Sequence, residues 1–115
     1  MNIDKYLTPY KYGKPVLIGS GVPGNFDERA VDCPFVFQHN GKFYMMYVGF
    51  DGIGYQTALA VSDDLLHFEH HAVILRRNEG NGWDDNNIAG TWILRENRID
   101  APPVLKKWEI GRAHV

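Results

Sequence analysis

An all-β fold is what this sequence predicts, and three observations carry the prediction. A phrase occurs twice, as Val31-Asp32-Cys33-Pro34-Phe35-Val36-Phe37 and Ile99-Asp100-Ala101-Pro102-Pro103-Val104-Leu105, both reading β-branched, Asp, small, Pro, x, Val, apolar. Asp100 follows Asp32 by 68 residues, a period that suits one blade of a β-propeller. Runs of β-branched and aromatic residues are punctuated by turn formers, with Asn40-Gly41 supplying the positive-φ pair of a tight hairpin. No segment carries a sustained helical period. Together these predict the N-terminal portion of a propeller, about one complete blade plus the start of a second.

The elements follow in order. Residues 1–30 hold Pro9, Gly13, Pro15, Gly19, Gly21, Pro23 and Gly24 and read as a lead-in segment, in which Val16-Leu17-Ile18 alone has strand character. Residues 35–38 and 43–49 read as the first hairpin, 50–54 as a Gly-rich loop and 57–61 as a third strand. Ser62-Asp63-Asp64-Leu65-Leu66 reads as a single helical turn capped by Ser62 or Asp63. Residues 68–70 and 73–75 complete the blade. With the polar loop 76–87, that first blade runs from 31 to 87.

Residues 88–94 open the next blade as another strand, and that portion runs to 108. The repeat then stops at Lys106-Lys107-Trp108. Ile110-Gly111-Arg112-Ala113-His114-Val115 is what ATC-GGA-AGA-GCA-CAC-GTC encodes, the start of a widely used sequencing adapter whose next in-frame triplet is a stop. Residues 109–115 are therefore expected to be a tail of adapter origin, with the natural gene continuing beyond Trp108. Blade strands bury their faces against neighbouring blades, so a piece of less than two blades is expected to be unstable or to aggregate on its own.

Composition narrows the function classes. Hydrophobic residues make up 44% and charged residues 23%, ordinary for a globular domain, and the net charge of −2 argues against a nucleic-acid partner. No apolar run reaches the length of a membrane span, and Met1-Asn2-Ile3-Asp4-Lys5 lacks the layout of a secretory signal, so no membrane partner and a cytoplasmic location are expected. One cysteine, Cys33, excludes an internal disulfide and supplies no metal framework. His67-x-x-His70-His71 lacks a completing carboxylate motif, and Gly49-x-x-Gly52-x-Gly54 lacks the helix that a phosphate cradle needs. Neither metal nor cofactor is expected.

The candidate chemistry rests on carboxylates. If Asp32 and Asp100 sit at the inner ends of first strands, a ring of blades points both at one axial pocket, where two acids can act on one substrate. The plainer role for an Asp before a strand is to cap a turn. Arg29 is a candidate for a substrate hydroxyl or carboxylate, against a surface ion pair with Asp27 or Glu28. Tyr55, Phe50 and Trp83, near loop mouths, suit sugar faces, against packing between blades. Asp84 and Asp85 are pocket or solvated-loop residues, and Asp51 reads as a turn residue.

Asp32-Cys33-Pro34-Phe35-Val36-Phe37, then Asn40-Gly41-Lys42-Phe43-Tyr44, then Ala58-Leu59-Ala60-Val61-Ser62-Asp63-Asp64-Leu65-Leu66-His67-Phe68-Glu69 resemble the first blade of five-bladed propeller glycosidases. These form the arabinanase, levansucrase and invertase superfamily, which includes glycoside hydrolase families 43 and 32. The resemblance covers most of residues 28–108, with Phe68 standing where Trp is common. It implies a glycoside hydrolase acting on an oligosaccharide or glycoside. It further implies that Asp32 is the general base and that Asp100 tunes the acid and orients substrate. Cys33 and Ala101, each inserted between Asp and Pro, depart from the family phrase. The Asn-Asp-Pro-Asn setting of a family 32 nucleophile is absent around Asp32. The family's acid is a Glu on the third blade, which this chain does not reach, so the fragment is expected to be inactive. A phosphorylase of the related mannoside-acting type and a non-catalytic carbohydrate-binding propeller are the alternatives.

Overall fold

Four antiparallel strands form one open sheet in the computed structural model, which describes residues 11–80 and 82–93. The strands are β1 (Ala30–His39), β2 (Lys42–Phe50), β3 (Tyr55–Ser62) and β4 (Glu69–Leu75), and their spatial order is their chain order. The architecture is all-β, consistent with part of a β-propeller, and no helix occurs among the described residues. Those residues accordingly contain no helix long and apolar enough to cross a membrane.

Local chemistry sets the first turn. Asn40 and Gly41 both take positive φ, 48° and 77°, the backbone twist that lets a two-residue loop join β1 to β2. β2 lies inside the sheet and is covered on both faces, so its Met45-Met46-Tyr47-Val48 run is continuously apolar and buried. Met45 and Tyr47 pair with Ala60 and Ala58 on one face; Met46 and Val48 pair with Leu59 and Thr57 on the other.

The lead-in segment packs over the first of these faces. Val16, Leu17, Phe26 and Val31 lie against the Met45–Tyr47–Ala58–Ala60 cluster. The alanines, fully buried, leave room for Tyr47, whose hydroxyl bonds His70 Nδ1 at 2.9 Å. Burial, with Asp27 nearby, pushes the Tyr47 phenol up to about 12, so it keeps its proton. A Cβ at Gly49 would fall 2.5 Å from the Phe26 ring, so only glycine lets this arm approach β2 so closely.

Several elements differ from the sequence expectation. Residues 16–18 form no strand; Val16 and Leu17 are instead half-buried packing residues. β4 is one strand with two irregularities against β3, and Phe68 precedes it. Residues 62–66 form no helical turn, because Leu65 takes φ 67°, a left-handed conformation that ends any helical path. Ser62 still caps: its Oγ accepts from the amides of Asp64 and Leu65, while Asp64 accepts from those of Leu66 and His67. The His67 side chain and these amides hold the Asp64 carboxyl well below the usual range. Residues 88–93 are not a strand either. The buried Thr57 hydroxyl donates to the Ile88 carbonyl and accepts from the Gly90 amide, so a side chain replaces a ladder partner.

Candidate functional site

An antiparallel meander brings the start of β1, the β2–β3 loop, the start of β3 and the end of β4 to one end of the sheet. Arg29, Asp32 and Tyr55 lie at that end, and loop 76–87 carries Trp83 and Asp85 from the end of β4 back to Tyr55. Asp100 lies outside the described residues.

Asp32 stands at a break in β1. Pairing runs regularly through Ala30, Val31 and Asp32, then resumes at Phe35, so Asp32 faces Val48 while Phe35 faces Met46. Three residues of β1 thus match two of β2, a bulge that puts the Asp32 and Phe35 side chains on the same face. Cys33, inside the bulge, takes φ 52°, and its amide donates to Asp32 Oδ1 at 2.7 Å. A non-glycine residue held in this conformation is local strain of the kind that re-aims a side chain. The Asp32 residue is exposed and makes no ion pair among the described residues. A cavity of about 180 Å³ that Asp32 borders together with Val16, Leu17, Val31, Pro34, Met45 and Tyr47 lies on the other face of the sheet, that of Met45 and Tyr47.

Beside it, the β2–β3 loop is built around Asp51. One Asp51 oxygen accepts from the amides of Ile53 (2.8 Å) and Gly54 (3.0 Å); the other meets Arg77 at 2.8 Å. Burial pushes the Asp51 carboxyl up, but the two amides and Arg77 outweigh it and hold it below its ordinary value. Arg77 is itself nearly buried, and its Nη1 has no hydrogen-bond partner among the described residues. The turn reading of Asp51 holds, with an ion pair added that no local sequence signal announces.

Arg29 does not pair with Asp27 or Glu28. Glu28 accepts from the Gly24 amide, Asp27 is buried in the arm, and the Arg29 guanidinium lies over Gly52, where a Cβ would come within 2.7 Å of Nε. The Arg29 amide also donates to the Phe50 carbonyl, which fixes the backbone beneath that cation. Tyr55 packs against Phe50 with ring centroids 5.0 Å apart, and its amide donates to the Asn87 side chain. Asp85 lines a shallow cavity with Ile53, Arg77 and Asn86. Trp83 is 91% exposed. Trp92 carries no site signal in the sequence, where it reads as one residue of a strand; in the structure it stacks on Phe35 at 5.8 Å and 16°. The His67 and His70 rings bond Asp64 and Tyr47 rather than one another.

No family model matches the chain. A β-1,2-mannobiose phosphorylase from Thermoanaerobacter sp. (strain X514) is 28% identical over 93 residues, which cover 77% of this chain and 30% of the relative. The chain is similar to a carbohydrate-active enzyme. It spans 30% of the length of that relative. A solved structure of a BT0996 RGII complex is 34% identical, with a TM-score of 0.46, over 61% of this chain and 21% of that one.

Proposed function

We propose that this chain is part of a five-bladed propeller enzyme that cleaves glycosidic bonds, with Asp32 as its base. The observation that carries the reading is the bulge that holds an exposed Asp32 carboxylate, without an ion-pair partner among the described residues, at the loop-rich end of the sheet. A carboxylate free of a cationic partner can take a proton from water as the water oxygen bonds the anomeric carbon. The glycosidic C–O bond breaks in the same displacement, and an acid elsewhere in the enzyme protonates the leaving oxygen. Arg29, fixed over Gly52, is suited to a substrate oxygen, and Tyr55 and Asp85 would border the substrate.

Phosphorolysis is the second reading, and the relative's activity favours it. There a phosphate oxygen bonds the anomeric carbon, and an anionic nucleophile needs no base. The two readings separate in one experiment on the complete gene product, incubated with β-1,2-mannobiose and a panel of aryl glycosides, with and without inorganic phosphate. Hydrolysis gives free sugar regardless of phosphate. Phosphorolysis gives a sugar 1-phosphate only when phosphate is present. Saturable sugar binding without turnover would leave only a carbohydrate-binding propeller.

A further inference from the structure

We infer that Trp92 is the platform on which a sugar ring stacks beside Asp32, an inference that takes its ligand class from the glycoside reading above. Residues 88–93 run over the sheet face that carries Asp32, because they are pinned to Thr57, which pairs with Val48 as Asp32 does from the other side. Thr57 is fully buried, so the pin is a rigid one. Two residues beyond Gly90, the Trp92 ring lies nearly parallel to Phe35, at 16°. Phe35 shares its face with Asp32 at positions two β2 residues apart, roughly 7 Å. The indole is thus supported from below by Phe35 while Trp92 remains 69% exposed. A flat, supported aromatic face suits the C–H side of a pyranose, whose hydroxyls then turn to polar neighbours such as Asp32.

Trp83 is more exposed than Trp92, at 91%, and has no aromatic ring beneath it among the described residues. Gly82-Trp83-Asp84-Asp85-Asn86 repeats the bend, turn and bend succession of Asn25-Phe26-Asp27-Glu28-Arg29, with an aromatic, Asp and acid in the same order. In each, the Asp carbonyl accepts an upstream backbone amide, from Ser20 to Asp27 and from Asn78 to Asp84. In the first arm the aromatic is Phe26, which lies against Tyr47 and His70 of the sheet. Trp83 holds the equivalent place in its own turn, where no aromatic ring lies against it among the described residues.

The test uses the complete gene product, its Trp92→Ala and Trp92→Phe variants, and β-1,2-mannobiose as probe. Trp92→Ala is expected to raise KM roughly tenfold with little change in kcat, and Trp92→Phe to recover most of that loss. Independently of turnover, titration with the probe is expected to shift tryptophan emission, and Trp92→Phe to remove the shift. Glycoside cleavage with an unchanged KM in Trp92→Ala overturns the platform and leaves the cleavage reading standing. A Trp92-dependent emission shift without cleavage of any glycoside supports the platform while the cleavage reading fails. An emission shift of the same size in Trp92→Phe as in the unsubstituted protein also overturns the platform.

Discussion

Asp32→Asn in the complete gene product is expected to lower kcat by roughly 10²–10⁴-fold, the range general acid–base catalysis contributes, with little change in thermal stability. Asparagine is nearly isosteric, and its side-chain oxygen can still accept the Cys33 amide that aspartate accepts now. What it cannot do is take a proton. The bulge and the strain at Cys33 should therefore survive the substitution, so a loss of rate reports on chemistry rather than folding. Comparison of kcat and melting temperature for the two proteins checks this, and full hydrolytic turnover in the Asp32→Asn variant would remove Asp32 from the role of base. If the enzyme is a phosphorylase, Asp32 can still bind sugar hydroxyls. KM should then rise and kcat should change far less, which makes the same variant informative about the acceptor.

Asp51→Ala is expected to cost about 1–3 kcal/mol, the range for leaving buried polar groups without their partner. Asp51 and Arg77 are 11% and 16% exposed, so the guanidinium left behind would be uncompensated, and its Nη1 already lacks a partner among the described residues. The amides of Ile53 and Gly54 would also lose their acceptor. Asp51→Asn, which keeps that acceptor, should lose less. Denaturant midpoints and hydrogen exchange at Ile53 and Gly54 measure both variants, and a midpoint unchanged in Asp51→Ala would contradict the reading. The pH dependence has a defined sign. The folded carboxyl lies below its ordinary 3.8, so its contribution is complete above that value and is lost as pH falls below it toward the lowered folded value.

The strands are legible where one stretch of chain carries its own instructions. Asn40-Gly41 fixes the first hairpin, and the aromatic and β-branched runs locate β2 and β3 to within two residues. Features set by distant partners are not legible. β1 begins at Ala30, ahead of Asp32, because a bulge lets pairing pass through a phrase that contains proline. Residues 88–93 have strand-like composition, but the Thr57 hydroxyl captures their backbone. Ser62 announces itself as a cap, yet an apolar Leu65 in a left-handed conformation has no sequence signature. At the candidate site, Asp32 stands out through its repeated phrase, whereas the Asp51–Arg77 pair and the Trp92–Phe35 stack join residues far apart in sequence.

Every strand of the sheet hydrogen-bonds the strand next to it in sequence, through short connections. Closing each connection costs little chain entropy, because the loops are small and their cost grows only slowly with length. The sheet can therefore zip up one hairpin after another in the direction of synthesis, with β1 and β2 joined before β4 has emerged from the ribosome. Ordered assembly of this kind keeps the unpaired edge of each growing intermediate brief, since the next strand to arrive is the one that covers it.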